Sequence, residues 1–283
     1  MIGARKGIAC RPAIQVWLIA IALLIGLQVS ALGVLADSPD DFSESLSDEQ
    51  VVENFLKIAF GFEGVEIPEE NLRLFRWEDD LRIAVAPGMT SQETEILKAH
   101  LDDLARFIGL AHSFEPDPLE ANVLLRVGPF EEILLDLDAL SEAYNKGASQ
   151  GLLDRQPTIP NMLPALKEVL TRERVAGRME NVCLATVQWS RGEVRAYVAI
   201  HTGLEPEQFQ HCVVEELTQM LGLMNDNDGV HPSIFNDQNE FDSLTEHDVW
   251  LLQMLYDPVM EGGMTKDEAE RVARSIIRYY RNQ

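Results

Sequence analysis

This chain predicts an α+β fold, a small mixed β-sheet with helices packed on it. Three observations point there. Two alternating apolar stretches, Leu81–Ala86 and Asn122–Val127, bracket a long amphipathic segment. Two further strand-like stretches, Cys183–Trp189 and Val194–Ile200, flank Ser190-Arg191-Gly192-Glu193 and read as a hairpin. From Glu207 onward the regular stretches follow helical periodicity.

The elements follow in order. Ser47-Asp48-Glu49-Gln50 is a capping box, and Val51, Val52, Phe55, Leu56 and Ala59 continue it at helical spacing. Gly61 and Gly64 end that helix. The strand at Leu81–Ala86 stops at Pro87-Gly88. Ser91 then caps a long helix whose apolar face is Ile96, Leu97, Leu101, Leu104 and Ile108. Helical pieces near Glu131–Tyr144 and Leu163–Arg174 form an insertion across 130–180, joined by a Gly-, Pro- and Asn-containing segment at 147–161. Helices at Glu207–Leu223, Leu244–Tyr256 (Thr245 as cap) and Thr265–Tyr280 complete a single domain over 47–283.

The first 36 residues read as an export segment. Arg5, Lys6 and Arg11 precede an apolar stretch from Ala13 to Ala36, and Val34-Leu35-Ala36 offers a cleavage site. The alternative is an uncleaved anchor, since the stretch exceeds the roughly 20 residues that span a bilayer. Either way the bulk of the chain is expected outside the cytoplasm, periplasmic or secreted. Cys10 precedes the apolar stretch, which argues against a lipoprotein anchor there. Residues 37–46 read as a disordered acidic leader.

The formal net charge is −24, and loss of Arg5, Lys6 and Arg11 takes it to −27. That balance excludes nucleic acid as a partner, and any membrane contact beyond the N-terminal segment. It suits solubility in an exported protein. Cys183 and Cys212 remain after cleavage, and in an oxidising compartment they are expected to form one disulfide. The bridge would close a loop of about 29 residues and contribute ~3–4 kcal/mol.

One run carries the chemical question: His211-Cys212-Val213-Val214-Glu215-Glu216-Leu217-Thr218-Gln219-Met220-Leu221-Gly222-Leu223-Met224-Asn225-Asp226. It resembles the zinc-protease helix H-E-x-x-H-x-x-G-x-x-H, in which the histidines bind zinc and the glutamate is general base. Glu216 stands at the general-base position and Gly222 at the turn, while the ligand positions hold Glu215, Gln219 and Asn225. The likeness extends through Tyr256 and resembles the catalytic end of metzincin proteases, especially the matrixin type. Pro232-Ser233-Ile234-Phe235-Asn236-Asp237 falls where the Met-turn would, with Phe235 in place of methionine. Leu244, Asp248, Leu252, Gln253, Leu255 and Tyr256 match the following helix in near register.

A closer likeness is to a bacterial family of exported proteins known as domain of unknown function 2927. The strings Glu215–Gln219, Leu221-Gly222-Leu223, Asn225-Asp226, Pro232–Asp237 and Leu255-Tyr256-Asp257-Pro258 resemble its signature. Together the resemblances imply a zincin-like architecture over about residues 75–265 and supply no activity.

The substituted ligands change the expected chemistry. Zinc favours imidazole and thiolate, and two neutral amides beside one carboxylate are poor donors for it. Asp226 and His231 are further ligand candidates, without the motif's spacing. Adjacent Glu215 and Glu216 project about 100° apart on a helix, so Glu215 is the one that shares a face with Gln219. One expectation is therefore a non-catalytic protein without a metal cofactor, in which Glu215, Gln219 and Asn225 form a buried polar network. It would bind an extended peptide or an envelope protein in the old substrate cleft, by strand addition along an edge strand. The alternative is a peptidase using one divalent metal ion, with Glu216 as general base.

The other histidines look structural. His211 is expected as a cap or surface residue, His201 as a turn residue, His247 as exposed, and His100 and His112 as scaffold. Asp226-Asn227-Asp228-Gly229 lacks the full spacing of a calcium loop and reads as a turn. Met220, Leu221, Leu223 and Met224 read as core. There is no G-x-S-x-G and no phosphate loop.

Overall fold

Four helices start on the same local device. Ser47, Thr90, Thr245 and Thr265 each accept a backbone N–H from three residues on, and the Gln, Glu or Asp there reaches back to the cap's own N–H. The computed structural model describes residues 46–282 apart from 63–66, 119, 150–182, 191–192, 237, 239 and 240. These contain helices α1 (Asp48–Ala59), α2 (Ser91–Ile108), α3 (Phe130–Ser149), α4 (Pro206–Gln219), α5 (Glu246–Leu255) and α6 (Lys266–Arg281). The strands are β1 (Leu81–Val85), β2 (His112–Phe114), β3 (Val123–Gly128), β4 (Cys183–Ser190) and β5 (Glu193–His201). None of the described helices is long and apolar enough to cross a membrane.

The five strands form one mixed, mostly parallel sheet in the order β2-β1-β3-β5-β4. β1 runs parallel to β2 and β3, and β3 parallel to β5, while β4 pairs antiparallel with β5. Alternation decides which face each residue covers. In β3, Val123, Leu125 and Val127 enter the main core, and Leu124 turns to the opposite face. The main core collects α1, α2, α4, α5 and α6, with Phe55, Ile58, Leu97, Leu101, Leu217, Phe235 and Leu251 fully buried. On the other face, Phe130 and Ile133 of α3 pack on Leu184, Tyr197 and Ala199. A polar clamp holds α3 there. Arg126 pairs with Asp136 and, at 2.9 Å, with Glu132, and the Tyr197 hydroxyl donates to Asp136 at 3.0 Å. Burial and then the Asp136 carboxylate push the Tyr197 phenol well above its ordinary value.

A second set of bonds seals the far end of α4. The indole N–H of Trp77 donates to the Met220 carbonyl at 2.8 Å. The Tyr256 hydroxyl donates to the Leu221 carbonyl at 2.9 Å and accepts the Trp77 N–H at 3.2 Å. Arg76 donates to the carbonyls of Leu255, the last residue of α5, and of Asp257 and Met260 beyond it, and lies over the Tyr256 ring at 4.9 Å. Gly222, at φ +125°, lets this backbone approach: a Cβ there would collide with the Phe75 carbonyl.

The α+β class and the mixed sheet agree with the sequence, and several details differ. α4 stops at Gln219, short of Leu223, because the chain turns at Met220–Gly222, where the Leu221 and Gly222 N–H groups bond Thr218 and Gln219. The cap of α2 is Thr90 and not Ser91, since Glu93 closes its box on Thr90. α3 is a single helix running to Ser149. β2 went unforeseen; it is three residues long and borders β1 alone. His247 is buried, 2% exposed, and not on the surface. The expected export segment (1–36), all but the last residue of the expected acidic leader, the expected helical piece at 163–174 and Asp237 lie outside the described residues.

Gly222→Ala is expected to destabilise the fold by about 3 kcal/mol or more, because strain and collision coincide there. Gly109→Ala, at φ +73° with nothing within 4 Å of the added Cβ, should cost only about 1 kcal/mol. Urea unfolding of the two variants checks the contrast.

Candidate functional site

α4 opens with Pro206 in its first turn and a capping box between Glu205 and Gln208. Its apolar side, Phe209, Cys212, Val213 and Leu217, enters the core. The Cys183–Cys212 disulfide joins it to β4. The bridge sets the Cys183 sulfur beside the adjacent Glu215 and Glu216: the ligand atoms of the three lie within 4.8 Å of one another. Glu216 is 5% exposed, and Glu215 is half-buried. The sulfur is already bonded to Cys212, so it offers no thiolate.

The three ligand positions do not form one network. Glu215 lies 3.4 Å from His211 Nε2, and His211 Nδ1 donates to the Phe241 carbonyl at 2.8 Å. His211 therefore bridges a loop carbonyl and a carboxylate, rather than capping the helix. Gln219 donates to Asp226 at 2.8 Å. Asn225 donates to the Lys57 carbonyl in the last turn of α1 at 3.0 Å, and Gly61 leaves room for its side chain. His231 is exposed, and neither it nor Asp226 belongs to the cluster of Cys183, Glu215 and Glu216. The donors are two adjacent carboxylates, with two amides engaged elsewhere. That set does not fit the imidazole-rich zinc site that a zincin resemblance implies.

The loop after α4 is fixed by a buried acid. Asp248 accepts from the Ser233 hydroxyl (2.6 Å), the Ile234 N–H (3.1 Å), the Thr245 N–H (2.9 Å) and the Thr245 hydroxyl (2.8 Å). Burial raises its carboxyl above the ordinary value, and the bonds from Ser233, Thr245 and Ile234 pull the other way. Beside it, His247 Nδ1 meets the Pro232 carbonyl at 3.1 Å, and its Nε2 lies 3.4 Å from the Asn54 amide on α1. Asn236 donates to the carbonyls of Asp228 and Val230, both at 3.0 Å, and the Asn227 N–H bonds the Phe235 carbonyl at 2.7 Å. The His231–Pro232 peptide is cis. Pro232, Phe235 and Asn236 are thus buried parts of one bonded loop. Asp226–Gly229 is a turn within it: Asn227 Oδ1 accepts the Gly229 N–H at 2.9 Å.

The sequence reading missed Asp248, His247 and Asn54 as a unit. The Thr245–Asp248 capping box was the available signal for Asp248. His100 is buried on α2, its Nε2 3.3 Å from the Thr218 hydroxyl. Burial lowers its imidazole from 6.5 to about 4.

The chain matches the family model described as protein of unknown function (DUF2927) over residues 48–275, and it belongs to that family. No curated protein and no solved structure gives a match to it.

Two stability measurements follow. The imidazole of His100 is neutral when folded at pH values where the unfolded chain is protonated. Stability therefore decreases as pH falls from about 6.5 to about 4, by up to roughly 3 kcal/mol from this group. In His100→Gln that part of the slope should vanish in urea titrations across the same range. Asp248→Ala orphans a hydroxyl and two backbone N–H groups and should cost about 3–5 kcal/mol. A loss under about 1 kcal/mol would show that the loop is held by something else.

Proposed function

We propose that this protein is an exported cell-envelope protein of zincin-like architecture whose motif helix is a structural strut, and that it binds an extended peptide by strand addition along β4. The observation that carries the reading is the dispersal of the ligand positions. Glu215, Gln219 and Asn225 engage His211, Asp226 and the Lys57 carbonyl respectively. Glu215 is tied within α4 to His211, which bonds the Phe241 carbonyl, Gln219 ties α4 to its own loop, and Asn225 ties that loop to α1, which together is what a strut requires.

The sheet supports the binding half of the proposal. β4 is last in the strand order and antiparallel to β5, next to the motif helix. A sheet edge pairs with an extended chain through main-chain hydrogen bonds, with side-chain pockets adding selectivity. The disulfide from β4 to α4 keeps that edge rigid, which lowers the entropy lost on binding. The basic and apolar N-terminal stretch, together with a disulfide, supports export.

A second reading has one observation in its favour. The adjacent carboxylates of Glu215 and Glu216 meet in one place, and hard oxygen donors suit calcium, magnesium or manganese. In that reading Glu216 is the general base of a metal-dependent peptidase.

Elemental mass spectrometry on protein purified without chelators or affinity tags separates the two. The strut reading expects no stoichiometric metal. About one equivalent per chain, lost in Glu215→Ala, would overturn it and favour the peptidase. The binding half is tested by selecting peptides from a random library and N-methylating alternate amides of those that bind. Strand addition expects methylation of one alternate set to abolish binding; tolerance of both sets would remove β4 as the site.

A further inference from the structure

Both readings leave the Cys183 sulfur out, because the disulfide holds it. That sulfur nevertheless belongs to the group of metal-ligating atoms that converges among the described residues, with Glu215 and Glu216. The fold sets this group. Cys212, Glu215 and Glu216 stand at i, i+3 and i+4 of α4 and so share one side of it. Cys183 meets that side from the start of β4.

A further donor faces the group from the same helix. His211 stands one turn before Glu215, and its Nε2 lies 3.4 Å from the Glu215 carboxylate. Its Nδ1 meets the Phe241 carbonyl, which only accepts, so Nδ1 carries a proton. In the neutral ring Nε2 therefore turns a lone pair toward a carboxylate that offers lone pairs in return. Two such acceptors need a cation between them, a proton or a metal ion. Two ligands of one tetrahedral zinc stand roughly 3.3–3.8 Å apart, so this spacing suits a shared metal. A ring N–H held by a backbone carbonyl is also the outer contact that orients metal-binding histidines.

The redox state of the sulfur decides how many donors there are. In the disulfide Cys183 offers no thiolate, and the imidazole and two carboxylates of α4 are left. A dithiol changes this. It passes two electrons and two protons to the disulfide, which becomes the thiols of Cys183 and Cys212, and is itself oxidised to a disulfide. A divalent cation then displaces the proton of one thiol. Cys183 is partly exposed and is the one open to reductant and metal, whereas Cys212 is 2% exposed and stays a thiol in the core.

We propose that the Cys183–Cys212 disulfide gates a metal site: once reduced by a dithiol, the chain binds one divalent cation of the zinc type through Cys183 Sγ, Glu215, Glu216 and His211 Nε2. Of the motif's three ligand positions only Glu215 takes part. The proposal concerns the reduced chain and is independent of peptide binding at β4. Metal held by the oxidised chain belongs to the peptidase reading instead, so the two fail separately.

The test is titration of the full exported chain with zinc against a chromogenic chelator, once oxidised and once reduced with dithiothreitol and desalted without oxygen. The reduced chain is expected to bind one equivalent at least about 100-fold more tightly than the oxidised chain. Cobalt in place of zinc should give a near-ultraviolet thiolate-to-metal band that is absent in Cys183→Ser. Cys212→Ala frees the Cys183 thiol without reductant and should bind like the reduced chain. Glu215→Gln with His211→Ala should weaken zinc by at least about tenfold in the reduced chain. Four results would overturn the proposal. The first is equal affinity in the oxidised chain, and the second is no stoichiometric zinc in either the reduced chain or Cys212→Ala. The third is full affinity in the reduced Glu215→Gln, His211→Ala variant, which would mean a bare dithiol site. The fourth is a loss of helical circular dichroism, on reduction and in Cys212→Ala, that zinc does not restore.

Discussion

The fold around the motif helix depends on one buried carboxylate. Asp248 is fully enclosed and receives hydrogen bonds from Ser233, Ile234 and Thr245. A carboxylate without partners could not stand there, because an unsatisfied buried charge costs several kcal/mol. With them, it fixes two elements at once. It closes the capping box that starts α5, and it folds residues 232–236 back onto that helix. The neighbouring His247 extends the tie from the Pro232 carbonyl to Asn54 on α1. The loop that follows α4 is therefore held against α1 and α5 by polar groups that compensate one another.

The outline of the zinc-protease helix is accounted for by packing at its other end. Gly222 occupies the glycine position because the Phe75 carbonyl approaches too closely for a side chain. Leu217, Leu221 and Leu223 are fully buried. The carbonyls of Met220 and Leu221 take hydrogen bonds from Trp77 and Tyr256. None of these features involves a metal. A helix with this turn and these apolar positions is needed by the fold whether or not the ligand positions carry histidine. The turn and the apolar positions therefore have a packing reason that is independent of what Glu215, Gln219 and Asn225 bond.

Much of this was legible in the sequence because it is local. Capping boxes lie within four residues, and helical periodicity marked α1, α2, α4 and α6 well. The disulfide was expected from two cysteines and the expectation of export. What was not legible depends on residues distant in the chain. Asn225 bonds the carbonyl of Lys57, 168 residues away, and no spacing within the motif announces that. The expected buried network of Glu215, Gln219 and Asn225 assumed that the three side chains would turn to one another, whereas Glu215 pairs with His211 in its own helix, Gln219 with Asp226 in the following loop, and Asn225 with distant Lys57. His247 read as exposed because one polar side of a short helix usually faces water. α5 is packed between other elements, so His247 and Asp248 are buried and paired instead, while Glu246 and Gln253 stay exposed. β2 has three residues and takes its conformation from pairing with β1, which periodicity cannot supply.

The charge distribution ties the fold to its expected partners. With 47 acidic residues against 23 basic ones, folding must place the cations with care. Arg76 bonds three carbonyls at and beyond the end of α5. Arg126 holds α3 to the sheet, Arg274 joins α6 to Glu49 and Glu270, and Arg281 pairs with Asp48. The arginines thus act as clamps between elements, each with its charge matched by carboxylates or carbonyls of the fold. The resulting surface potential is negative and attracts cations over distances of about a Debye length, ~8–10 Å at physiological salt. Such a field favours encounter with a basic ligand but does not by itself retain one.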